Sequence, residues 1–178
     1  MENKIQNSNI QQKNWHAIYV KSRSEKKVMQ TLIQKGIEAY VPLSKTMRQW
    51  SDRKKLVEFP LINGYVFVHI QAIENEKTLH TNGVVNFVRL NGKIALIRES
   101  EIERLKQLIE LGYQLDSDSD NSTFDIGEKV KITSGPLKNL EGQILNKSDE
   151  KFFILELETI GKSIKVKLPK DILIASTT

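Results

Sequence analysis

TMRQWSDRKKLVEFP, residues 46–60, gathers Arg48, Arg53, Lys54 and Lys55 around Trp50. Cations along an extended backbone pair with phosphates, and an aromatic plane among them stacks on a base. That is chemistry suited to a nucleic-acid strand. A second basic group, Arg23, Lys26 and Lys27, lies upstream, and Arg89 falls at the end of VVNFVR. The alternative for all of these is a solvated face, since charges near a turn are exposed in any case.

Other reactive chemistry is sparse. The 178 residues include no cysteine, which excludes disulfides and thiol catalysis. The histidines, His16, His69 and His80, have no ligand spacing. There is no phosphate loop and no nucleophile–base pair, and carboxylates such as Glu25 and Glu58 read as helix or strand surface. The expectation is a non-enzyme with neither cofactor nor metal.

Charge is uneven. Residues 1–111 hold 18 Lys and Arg against 11 Asp and Glu, and residues 112–178 hold 9 against 11. A basic first part beside a slightly acidic second part points to nucleic acid or an anionic surface as partner of the first. No apolar run approaches the ~18 residues that span a bilayer. The opening MENKIQNSNIQQKN is polar and lacks the apolar core of a secretory signal. A cytoplasmic protein without membrane attachment is expected.

The elements that position these residues follow from periodicity. WHAIYV (15–20) is β-prone. A helix follows, with Ser24 as N-cap, Val28, Leu32 and Ile33 as its apolar face and Gly36 as its C′ glycine. EAYVPL (38–43) reads as a strand and 46–60 as a hairpin with Ser51, Asp52 and Arg53 at its tip. GYVFVHI (64–70) is apolar on both faces and implies a central, covered strand. A short amphipathic piece (73–80) leads to VVNFVRL (84–90), and Asn91-Gly92 turns it into KIALI (93–97). The next helix takes Ser100 as N-cap and Glu103 as its capping-box partner, with Ile102, Leu105, Leu108 and Ile109 inward. The sum is a mixed α+β layer sandwich.

GYQLDSDSDNST (112–123) breaks the pattern and reads as a solvated linker. Five short β-prone runs follow: EKVKI, EGQILN, KFFILELE, KSIKVKL and DILI. Five strands in about 55 residues suggest a small barrel. In ITSGPLKNLEGQI, Gly135-Pro136 turns the chain, Gly142 bends the next strand, and Leu137 and Leu140 plug the barrel's end. The β-branched and aromatic content of 151–168 favours a barrel over helices. The expected division is a disordered lead-in 1–13, an α+β domain 14–111, a linker 112–123 and an all-β module 124–178.

Gly127, Val130, Ile132, Gly135, Pro136, Leu137, Leu140 and Gly142 resemble the KOW module of the NusG transcription factors. Trp15, the helix with Glu25-Lys26-Lys27-Val28, then PLINGYVFVHI and GVVNFVR are similar to that family's N-terminal domain, so the resemblance covers about 14–174. It implies a NusG N-terminal-like antiparallel sheet with flanking helices, followed by an SH3-like barrel. Ile62-Asn63-Gly64-Tyr65 stand where the family commonly has Phe-Pro-Gly-Tyr, and WSDRKK looks more like the specialised RfaH-like and UpxY-like antiterminators. The implied function is transcription elongation and antitermination on selected operons, such as surface polysaccharide loci. The alternatives are a general NusG-type factor and a KOW-containing ribosome- or RNA-binding protein, though the latter would carry its basic charge in the barrel.

The resemblance also assigns sites. Trp15, Tyr19, Ile62 and Tyr65 would form the apolar hollow that grips the clamp helices of bacterial RNA polymerase, with ordinary sheet core as the alternative for Trp15 and Tyr19. The basic residues and Trp50 would face the non-template DNA strand, and His80-Thr81 the polymerase's second pincer. Phe152, Phe153 and Ile164 would offer the barrel's apolar contact to a small-subunit ribosomal protein or Rho, although strand alternation sends some of them into the core. A monomer is expected.

Overall fold

The computed structural model describes residues 12–49, 53–112, 115–117, 129–132, 141–147 and 150–167. Packing divides the chain into two compact units, residues 1–41 with 62–100, and residues 42–61 with 101–178. The hairpin at 42–61 and the helix after residue 100 thus group with the second unit, where the sequence placed both in the first domain.

The first unit is built on a four-stranded antiparallel sheet. Its strands are β1 (Asn14–Val20), β2 (Glu38–Tyr40), β5 (Tyr65–Ile70) and β6 (Val84–Phe87), in the order β2-β5-β1-β6. β5 is interior as expected, and only His69 along it is not buried. Register places Trp15 opposite His69, Ala17 opposite Phe67 and Tyr19 opposite Tyr65 on one face. His16 opposite Val68 and Ile18 opposite Val66 lie on the other, because side chains alternate.

Helix α1 (Glu25–Gln34) buries Val28 and Leu32, which lie one above the other at i and i+4. Ile33, expected inward, is 52% exposed, because one further residue turns it ~100° away. Ser24 occupies the N-cap without a side-chain bond to the helix. The C-terminus closes in a Schellman motif. The Gly36 amide donates to Ile33 O, the Ile37 amide donates to Leu32 O, and Ile37 and Leu32 are both buried.

After β5 come a 3-10 turn (Ala72–Glu74) and the short helix α2 (Asn75–Leu79). The run read as one strand over 84–90 divides at Val88. There the chain passes from β1, where Val88 N donates to Ala17 O, to a separate ribbon, where Ala95 N donates to Val88 O. That ribbon is β7 (Arg89–Leu90) with β8 (Lys93–Ile94), turned by Asn91 and Gly92, both at positive φ. This is the geometry of a two-residue hairpin loop. Of KIALI, only Lys93 and Ile94 form a strand, and Ile97 makes an isolated bridge to Trp15.

The second unit contains the expected hairpin, β3 (Leu43–Gln49) and β4 (Lys54–Pro60), paired from Leu43↔Pro60 to Gln49↔Lys54. Helix α3 (Glu99–Glu110) buries Glu101, Ile102, Leu105 and Leu108. It begins one residue before Ser100, so that serine sits in the first turn instead of capping it, which displaces the expected capping box as well. A five-stranded antiparallel sheet follows, in the order β10-β11-β12-β13-β9. Its strands are β9 (Leu115–Ser117), β10 (Lys129–Lys131), β11 (Glu141–Lys147), β12 (Glu150–Leu157) and β13 (Lys162–Lys167).

β9 corrects the linker reading. Leu115 pairs with Val166, Asp116 with Lys165 and Ser117 with Ile164. The Asp-Ser composition hid a strand whose formation depends on a partner some fifty positions away. Gly135-Pro136, Leu137, Leu140 and the DILI run lie outside the described residues.

Candidate functional site

Tyr19 and Tyr65 are cross-strand partners whose ring centroids lie 4.9 Å apart at 53°. The two phenols share a hydrogen bond, and the Tyr65 hydroxyl is pushed well up by burial, then by the Tyr19 hydrogen bond and its charge. Tyr65 is nearly buried, whereas Tyr19 is 41% exposed and presents the pair to solvent. A desolvated phenol behind an exposed one is a form of aromatic anchor, apolar in body and polar at one tip.

The turn before β5 sets Tyr65 in place. Leu61 and Ile62 are buried, Asn63 is exposed and Gly64 takes φ +79, a conformation glycine adopts without strain. The Gly64 amide donates to Glu25 Oε1 at 2.7 Å, and its carbonyl accepts from Val20 N at 2.9 Å. Glu25, expected on the helix surface, is 2% exposed. The signals were its place directly after the N-cap and the Asn-Gly turn signal at 63–64. Nothing local joins the two.

At the far end of the same sheet face, Trp15 stacks on His69 at 4.9 Å and 11°, and His69 Nδ1 meets Glu38 Oε2 at 2.8 Å. Tyr40 and Phe67 lie between, 6.4 Å apart. Four strand positions separate Trp15 from Tyr19, about 13 Å. The structure therefore brings Tyr19 and Tyr65 together. It places Trp15 and Ile62 in the core, at 2% and 3% exposure.

The basic residues are distributed as follows. Arg23 is exposed and holds φ +61, a left-handed conformation costing an ordinary side chain roughly 1–2 kcal/mol. Lys26 is half-buried and Lys27 exposed. Arg89 is exposed, and its Nη1 donates to Gly92 O at 3.0 Å across its own hairpin turn. In the β3–β4 ribbon Arg48 stands opposite Lys55 in register, and Lys54 opposite Gln49. Arg53 and Lys55 are exposed, and Lys45 pairs with Glu58 at 3.4 Å lower on the ribbon. Trp50, Ser51 and Asp52 lie outside the described residues. Near α2, Thr81 is buried and its Oγ1 accepts from Lys35 Nζ at 2.9 Å, while His80 is exposed.

In the last unit, Ile164 is fully buried. It faces Leu155 on one side and Ser117 on the other, interior to the sheet, which removes it from an exposed contact surface. Phe153 is in register with the buried Val166, and Phe152 with Lys167.

Residues 13–106 match the family model described as "Transcription termination factor nusG". The transcription termination/antitermination protein NusG of Pseudomonas aeruginosa is 27% identical over 172 residues, covering 88% of this chain and 94% of that protein. The protein of the same name from Rickettsia bellii is 20% identical over 176 residues, covering 92% and 90%. A solved structure described as "Domain interaction in Thermotoga maritima NusG" superposes with a TM-score of 0.51 at 20% identity, covering 88% of this chain and 94% of that one. That likeness shows the fold, and the family model spans more than half of the 178 residues. The chain belongs to the NusG family of transcription termination and antitermination factors.

Proposed function

We propose that this chain binds bacterial RNA polymerase through the end of the first-unit sheet marked by Tyr19 and Tyr65, and that it favours elongation over pausing and termination. The observation that carries the reading is the tyrosine pair, one ring buried and one exposed, directly after the Gly64 turn. An aromatic anchor with a polar tip suits the end of a partner helix, here the clamp helices. Trp15 and Ile62 support this site from within the core. Residues 14–111 form the polymerase-binding domain in this reading, and the KOW module at 124–178 is completed by β9 from the 112–123 segment. The five-stranded sheet that they share closes as an SH3-like barrel. It recruits a small-subunit ribosomal protein or Rho through Phe152 and Phe153.

Arg23, Lys26, Lys27, Arg89 and the ribbon residues Arg48, Trp50, Arg53, Lys54 and Lys55 contact the non-template DNA strand. Ile62 and Asn63 in place of the common Phe-Pro, together with the WSDRKK tip, favour an operon-selective factor of the RfaH-like or UpxY-like kind. The protein is not an enzyme: it shifts the polymerase between closed and open clamp states by binding the closed one more tightly. A tenfold preference corresponds to about 1.4 kcal/mol. Among the described residues no helix is long and apolar enough to cross a membrane.

The test is in vitro elongation by a bacterial RNA polymerase with wild type or Tyr65→Ala. Wild type should shorten pauses or raise readthrough, and the variant should lose that effect. Unchanged pausing with wild type on every template tried would remove the elongation reading, and full activity of the variant would remove the docking site. Crosslinking to the non-template strand should fall when Arg53, Lys54 and Lys55 are replaced by Ala; an undiminished signal rejects the DNA assignment.

A further inference from the structure

The first two turns of α1 hold both glycine turns that flank the end of β1. On one side Glu25 Oε1 takes the Gly64 amide at 2.7 Å, while Gly64 O takes the amide of Val20, the last residue of β1. On the other side Gly83 O takes the Lys21 amide at 2.9 Å, and the missing Gly83 side chain makes room for Val28. The first turn delivers Tyr65 into β5 and the second delivers Val84 into β6.

Burying a carboxylate is costly unless hydrogen bonds answer it. A glutamate in the first turn serves the helix dipole equally well on the surface, where burial costs nothing. Helix stability therefore does not account for Glu25 at 2% exposure. What burial adds is a short charge-assisted bond to one backbone amide, the amide immediately before Tyr65.

We infer that Glu25 is a positioning residue for polymerase docking: its carboxylate locks the 62–65 turn in the form that seats Tyr65 against Tyr19. This rests on the docking reading above. Glu25 does not itself touch the polymerase. It acts through the Gly64 amide, so loss of its side chain should be felt there first. The lock needs an acceptor oxygen at the right reach, and an aspartate one methylene shorter falls away from the Gly64 amide.

The experiment uses the full chain and two readouts, amide hydrogen exchange and affinity for core RNA polymerase. In Glu25→Ala the Gly64 amide should exchange at least about tenfold faster, with polymerase binding about tenfold weaker, while Phe67 and Val68 stay protected. Glu25→Gln, which keeps the acceptor and the length, should restore both. If Glu25→Ala loses protection throughout β5, Glu25→Asp takes its place, with the same expectation of fast Gly64 exchange and weak binding. Unchanged Gly64 exchange in either variant overturns the lock. Fast Gly64 exchange with undiminished polymerase affinity overturns the positioning role, even where Tyr65→Ala weakens binding. Undiminished binding by Tyr65→Ala ends the docking reading and this role with it, and the Gly64 exchange, which needs no polymerase, tells that failure from the first.

Discussion

At the scale of single residues, the sites where substitution will be felt are set by space and backbone sign. Gly83 holds φ +95, and a Cβ there would lie 2.7 Å from Val28 Cγ2. Gly83→Ala therefore combines left-handed strain with overpacking and should destabilise by about 2–4 kcal/mol in urea denaturation. Adding Val28→Ala should relieve the clash but not the strain, so the double variant should cost less than the two single losses together. Strict additivity would show that the contact is not what disallows a side chain.

Tyr65 gives a pH signature at the same scale. Burial and the Tyr19 bond raise its hydroxyl above the ordinary phenol value, so the native state keeps that proton longer than the unfolded chain does. Its contribution is complete below pH ~10 and drains away as pH climbs. Tyr65→Phe should lose stability less steeply than wild type between about pH 9 and about pH 11. Parallel slopes would mean that the phenol is no better held in the fold than out of it.

At the scale of elements, the local signals were strong where chemistry and geometry are both local. The two-faced apolar run read over 64–70 became the interior strand Tyr65–Ile70, the hairpin read over 46–60 paired and began three residues earlier at Leu43, and Gly36 closed α1. Asn91-Gly92 turned its ribbon with both residues at positive φ. A methyl group at Gly92 would meet no heavy atom within 4 Å, so Gly92→Ala carries strain alone and should cost about 1 kcal/mol, well under Gly83→Ala. Equal losses in thermal melts of the two variants would contradict that distinction. What failed to read from sequence was distant in the chain. Glu25 went inward because a turn 39 residues later offers it an amide, and Ile164 is buried on a strand paired along both edges. Of the four residues anticipated for docking, Tyr19 and Tyr65 come together as a cross-strand pair. Trp15 and Ile62 are buried, and alternation could not foretell it for Trp15, which shares a sheet face with the exposed Tyr19.

At the scale of the whole molecule, charge separates along the chain, with 18 cations against 11 anions through residue 111 and 9 against 11 beyond it. If three hairpin cations sit on single-strand phosphates, replacing Arg53, Lys54 and Lys55 by Ala should reduce the slope of log affinity against log salt by about 2. The measurement is binding to an elongation complex across a salt series, and an unaltered slope removes the ribbon from the DNA. In the second unit, Leu115→Pro withdraws an amide and restricts the backbone at the pairing with Val166, so exchange along β13 should quicken while β5 is unaffected. Exchange in β13 indifferent to the change would mean that β9 adds nothing to the sheet.

The pairing of Leu115–Ser117 with Val166–Ile164 has a mechanical consequence. Only residues 111–114 separate the end of α3 from the start of β9. A leash that short pays out no more than about 17 Å when taut. Pulling β10–β13 farther from α3 than that must first unzip β9, uncovering the edge of β13 where Ile164 and Val166 lie. Extension and loss of a strand are therefore one event, and the freed edge is left ready to accept another strand in its place.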